Sequence, residues 1–180
     1  EYHNFTPLAG DPEIVNLITQ GESATLEFKS TARWDLREKK KSKVMEQIIV
    51  KTVTAFLNSQ GGTLLIGVED DGNVIGLEAD YQTLKKGNKQ DAYELFLTDL
   101  LLEKEIGKDS APYIRISFGE VEKKDVCQIT VKPSPRPVYI QVKNKNGEQE
   151  ESLFIRINNS TRKLDKPSEI RNYCQDRWAK

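Results

Sequence analysis

Ala55-Phe56-Leu57-Asn58-Ser59-Gln60-Gly61-Gly62-Thr63-Leu64-Leu65-Ile66-Gly67-Val68-Glu69-Asp70-Asp71-Gly72 decides the fold class. A helix must stop at Asn58 to Gly62, because paired glycines supply the positive-φ ending and let the next backbone pass close by. Thr63 to Val68 is a nearly unbroken apolar run between turn signals. That pattern belongs to a central strand buried on both faces. Glu69 to Asn73 then reads as a turn, and Val74-Ile75-Gly76 as a hairpin return.

Upstream, Ser42 is placed to cap the helix that ends at Asn58, with Val44, Ile48, Ile49, Val53, Phe56 and Leu57 at helical spacing. Before it, Ala24-Thr25-Leu26-Glu27-Phe28-Lys29 alternates as a half-buried strand, with Leu26 and Phe28 directed to the core. Asp11-Pro12-Glu13 starts a short helix that runs to Gly21. Downstream, Tyr93 to Leu102 predicts a second amphipathic helix ending near Gly107. Strands are predicted over 113–118, 126–131, 138–142 and 153–157, with a polar loop at 158–162 and a closing helix over 167–178. Helices and strands mixed in this order predict an α/β (α+β) domain, a mixed sheet with helices packed against it. We divide the chain into a leader with its short helix, 1–20, and the domain proper, 21–180.

With 37% apolar and 31% charged residues spread along 180 positions, the composition is globular rather than disordered. No apolar run approaches the roughly 20 residues of a bilayer span, so no membrane association is expected. The absence of an initiating Met suggests a piece of a longer, multidomain chain. Cys127 and Cys174 are expected to be buried free thiols, which favours the cytoplasm. The one histidine, His3, lies in the leader, so histidine-based catalysis and histidine-rich metal sites are not expected.

The net charge of −1 does not point to a polyanion, but its distribution does. Lys29, Arg33, Arg37, Lys39, Lys40, Lys41 and Lys43 stand against Asp35 and Glu38, a local excess of five positive charges (7 − 2). Such a basic loop suits phosphate contact, and it equally suits a solvated surface loop. Arg136, Arg156, Arg162 and Lys163 are further candidate phosphate contacts, with Asn158 to Thr161 offering polar donors. Arg156, inside an apolar strand, is either a buried ion-pair partner or a groove-facing cation. Among acids, Glu22 and Glu27 straddle the entry to the first strand, and Asp70 follows the buried one, where α/β folds usually bind ligands. Each also has a structural reading, Glu27 as an outward strand residue and Asp70 as a turn former.

Gly21-Glu22-Ser23 with Leu26-Glu27-Phe28-Lys29, the Ala55 to Gly72 stretch, Arg33 to Arg37 and Asn159-Ser160-Thr161-Arg162 together resemble the AlbA-like domain of the Schlafen family. The resemblance runs from about Glu22 to Trp178. It implies an AlbA-like fold and a nucleic-acid partner, RNA or DNA, in the manner of transcriptional regulators that carry such modules beside other domains. It also implies that Glu22, Glu27 and Asp70 fall where relatives that are endoribonucleases keep catalytic carboxylates. Those acids would hold Mg²⁺ or Mn²⁺, hard cations that activate water without histidine. Such nucleases pair two lobes and this chain has one, so a homodimer would be needed to restore the second. The family's older description as a divergent ATP-binding domain is the least favoured alternative, because Gly61 to Val68 lacks the lysine of a phosphate-binding loop. A protein-interaction or regulatory module is the alternative.

Overall fold

The computed structural model describes residues 6–179, so His3 lies outside the described residues. Asp11 caps the first helix, α1 (Pro12–Gln20), its carboxylate accepting from the Ile14 N–H at 3.1 Å. Strand β1 (Leu26–Lys29) follows. The basic stretch expected as a loop is a small antiparallel hairpin of β2 (Trp34–Asp35) and β3 (Lys40–Lys41). Its turn is tied by Asp35, which accepts from the N–H groups of Arg37 and Glu38, both at 2.9 Å. Local side-chain bonding thus gives order where hydrophobic patterning predicts none.

Helix α2 (Lys43–Leu57) begins at Ser42 as expected, with the hydroxyl accepting from the Met45 N–H at 3.4 Å. Its stripe is narrower than the spacing predicts, since Val44 is 66% exposed. Gly61, at φ 77°, carries the chain from α2 into strand β4 (Gly62–Ile66). A Cβ on Gly61 would lie 2.5 Å from the Val131 carbonyl oxygen, so both backbone angle and space require glycine.

The main sheet runs β1-β4-β6-β5, with β5 spanning Ile114–Val121 and β6 Lys124–Val131. β1 is parallel to β4 and the other pairs are antiparallel, giving the mixed sheet expected. Leu64 and Ile66 face the cluster built on Ile49, Val53 and Phe56 of α2, whereas Leu65 and Val68 join Ile14, Ile18, Leu26 and Phe28 on the α1 side. Two covered faces explain the unbroken apolar run. On the α2 side lie also the short α3 (Glu78–Tyr81) and α4 (Lys89–Thr98), the latter prolonged as a π-helical segment over Asp99–Glu105.

A second, antiparallel sheet of β7 (Ile140–Lys143), β8 (Gln149–Ile157) and β9 (Ser160–Leu164) packs on the outer side of α2. Strand β9 occupies most of the expected polar loop. Only Asn158 and Asn159 turn, Asn158 at φ 54°, and Ser160 pairs again with Ile157. Edge strands with few buried side chains carry little apolar signal, which is why β9 reads as loop. The closing helix α5 (Pro167–Trp178) lays Ile170, Tyr173 and Cys174 against Leu153, Ile155 and Leu164.

Asn58 joins the parts. Its side-chain amide donates to the carbonyls of Val138 and Phe154 and accepts from the Val138 N–H, all at 2.9 Å, while its own carbonyl accepts from the Tyr173 hydroxyl at 2.6 Å. Both cysteines are free, Cys127 buried and Cys174 half-buried. Burial, with Asp80 and Glu94 nearby, pushes the Cys127 thiol well above its ordinary range. Among the described residues no helix is long and apolar enough to cross a membrane.

Candidate functional site

The three singled-out carboxylates have different surroundings. Ser23 bridges back to Leu26, which folds Glu22 along the outer edge of β1, where its carboxylate accepts from the Phe28 N–H at 2.9 Å. Burial raises the Glu22 pKa; the Phe28 N–H opposes this, and the charges of Glu27 and Asp70 add to it. Glu27 points from β1 toward α2 and is held from both sides, by Arg156 Nη1 at 2.9 Å and Lys29 Nζ at 3.1 Å. Asp70 is exposed. Its turn is tied by its neighbours, Glu69 accepting from the Asn73 amide at 2.8 Å and Asp71 from the Asn73 N–H at 2.9 Å. That turn leaves the sheet beside Ile18 of α1, on the other side from Glu27.

Glu22 therefore feels both other carboxylates, but the three do not converge. Among the described residues no group of three or more His, Cys, Asp or Glu side chains could hold a metal ion. As folded, both oxygens of Glu27 face cations of the protein itself, Arg156 and Lys29.

Arg156 resolves the ambiguity in its sequence reading: its side chain is 3% exposed. Besides Glu27 it donates to Ser23 O at 2.7 Å, Ala24 O at 3.2 Å and Thr161 Oγ1 at 3.2 Å, and it lies 4.9 Å over the Phe56 ring. It does not reach solvent as a phosphate contact. Instead it fastens the β8–β9 hairpin to β1.

Fastened there, the hairpin forms one wall of a groove of about 500 Å³. The floor is Glu27 and Lys29 of β1, the opposite wall Ile48, Lys51 and Thr52 of α2, and the near wall Phe154 and Asn159 to Arg162. Lys29, Lys51 and Arg162 stand against one carboxylate, Glu27, already doubly paired, so the groove is cationic. Lys51 was not among the expected contacts. Alone on an amphipathic helix, 5.5 Å from the Phe154 ring, it gives no signal in sequence.

The β2–β3 hairpin is the other cationic feature, with Arg37, Lys39, Lys40, Lys41 and Lys43 all exposed. Among the described residues none of the five lies within 4.0 Å of a carboxylate oxygen. Its base is held by Asp80, a fully buried residue that sequence reasoning missed. The Asp80 carboxylate accepts from the N–H groups of Ala32 (2.7 Å), Arg33 (3.2 Å) and Trp34 (2.9 Å), and from the Tyr93 hydroxyl (2.6 Å). Nothing in its spacing marks it.

The remaining expected contacts lie elsewhere. Arg33 pairs with Glu46 at 3.2 Å and stacks 4.4 Å over Phe96, with a buried Nε that has no partner among the described residues. Lys163 lies 3.4 Å from Glu150, and Arg136 is 3.8 Å from Asp109.

A family model described as Schlafen, AlbA_2 matches residues 22–165. Among solved structures, the DIP2311 protein of Corynebacterium diphtheriae is similar, with a TM-score of 0.54 and 18% identity, over 86% of this chain and 24% of that one. At that identity the likeness is one of fold. The chain spans about a quarter of that protein's length.

Proposed function

The chain belongs to the Schlafen AlbA_2 family, and we propose that it is a nucleic-acid-binding domain, for RNA or DNA, of a longer cytoplasmic protein. The observation that carries this reading is the groove in which Lys29, Lys51 and Arg162 face a carboxylate already neutralised, with Asn159, Ser160 and Thr161 along the same wall. Cations set among hydroxyl and amide groups suit a phosphodiester backbone, with charge supplying affinity and the neutral donors supplying register. The β2–β3 hairpin extends this footprint from the N-terminus of α2. The hairpin and Lys51 are linked by about 12 Å of helix, at 1.5 Å per residue.

Hydrolysis is the weaker extension. It requires Glu27 to exchange Arg156 and Lys29 for a divalent cation, or a second copy of the chain to complete the site, and the geometry supports binding first. The alternative of a protein-interaction module predicts no affinity for nucleic acid. Fluorescence anisotropy with labelled single-stranded and duplex RNA and DNA at low salt tests the choice. Binding should weaken with salt, and K51A/R162A should reduce the slope of log K against log salt by roughly 0.7–0.9 per lost contact. No binding to any of these probes at low salt overturns the proposal.

A further inference from the structure

Behind the β8–β9 hairpin lies a second recess, of about 390 Å³, between the turn after α2 and the last turns of α5. Gln60, Asn158, Tyr173 and Arg177 line it, with Ser59 and the edge of Arg156, and among the described residues no carboxylate does. Arg156 is balanced by Glu27. Arg177 is not balanced: among the described residues no acidic oxygen lies within 4.0 Å of it. Its guanidinium is nevertheless fixed, with Nη2 donating to Ser59 O at 3.0 Å and Ser134 O at 3.3 Å, and with its Cζ 4.8 Å from the centre of the Trp178 ring. A positioned guanidinium with N–H groups to spare is suited to an oxyanion. Gln60 and Asn158 are exposed, and their side chains make no hydrogen bond among the described residues.

The two recesses meet at one turn. Asn158 lines this one and its neighbour Asn159 lines the groove. We propose that the recess is a second phosphate subsite, so that a nucleic-acid backbone lying in the groove continues past the hairpin tip and places a further phosphodiester against Arg177, Gln60 and Asn158. This rests on the nucleic-acid reading above and deepens it. The hairpin becomes a ridge that the strand crosses, and the binding footprint becomes longer than the groove.

The test adds negative charge at the rim. Gln60→Glu with Asn158→Asp alters two exposed side chains without bonding partners, and Asp tolerates the left-handed backbone at 158. The probes are labelled single strands of about 4 and about 16 nucleotides, the span of sites on small single-strand-binding domains. The double variant should bind the long strand roughly tenfold more weakly, the effect of one lost charge-assisted hydrogen bond, and the short strand within about twofold of the parent. Arg177→Gln should lower the salt slope for the long strand alone. If the rim variant binds the long strand like the parent while K51A/R162A weakens it, the subsite is overturned and the groove stands. Equal weakening of both strands overturns it too, because the charge is then acting through the whole field. If K51A/R162A has no effect either, the underlying reading falls.

Discussion

Replacing Glu27 by Gln leaves shape and one acceptor oxygen in place but removes the charge that faces Arg156, whose side chain is 3% exposed. Two unit charges about 4 Å apart attract by roughly 4 kcal/mol at an effective dielectric near 20. Arg156 keeps Ser23 O, Ala24 O, Thr161 Oγ1 and the Phe56 ring, and Gln can still accept from Nη1. We therefore expect a loss of about 2–3 kcal/mol, below the roughly 3–5 kcal/mol of a buried pair broken outright. For a chain of this length that lowers Tm by roughly 4–12 °C. Circular dichroism during thermal and urea unfolding reads it, and Arg156→Gln completes the double-mutant cycle. The two singles and the double should fall short of additivity, because each single removes the same pair. An unchanged Tm refutes the ion pair as the fastening of the hairpin. A catalytic Glu27 predicts the reverse pattern, with stability retained and metal-dependent cleavage lost.

Further outcomes follow from the same geometry. Asp80→Asn keeps one of the two carboxylate oxygens and loses the other, each of which accepts from two donors (Ala32 N–H with the Tyr93 hydroxyl, Arg33 N–H with Trp34 N–H), so unfolding should cost about 2–4 kcal/mol less; hydrogen exchange should quicken at residues 32–34. Lys39, Lys40 and Lys41 changed together to Ala should lower the salt slope of nucleic-acid binding and leave the urea midpoint unchanged, since all three are exposed. Glu22 holds its proton more tightly folded than unfolded, so it lowers stability as pH rises through its ordinary pKa toward the raised one. Glu22→Gln should accordingly raise Tm at pH 7, with the gain vanishing in acid; a gain independent of pH would rule out this linkage. Gly61→Ala should destabilise by more than about 1 kcal/mol, the backbone strain adding to the clash with Val131 O.

What could be read in the sequence was whatever burial writes into it. The run from Thr63 to Val68, the Ser42 and Asp11 caps and the glycines after Asn58 each have a local physical cause, and each element formed. Strand β9 and the β2–β3 hairpin escaped because their order comes from backbone pairing and from Asp35, with hardly an apolar side chain involved. At the site, the groove's acidic and basic residues were recognisable by type, but their pairing was not. That Glu27 is spent on Arg156, 129 residues away, is a tertiary fact. Lys51, Arg177 and Asp80 carry no motif, and only folding sets them where they matter.

The amide of Asn58 also has a kinetic meaning. Its partners Val138 and Phe154 are 80 and 96 residues further along the chain. Closing a loop of that length costs about 4 kcal/mol of chain entropy, against about 2 for ten residues, so this contact forms late. Through it the second sheet is seated on α2. Once seated, the two should open together in native-state hydrogen exchange, because peeling the second sheet away strands a buried amide with three hydrogen bonds to lose, two to Val138 just ahead of β7 and one to Phe154 of β8.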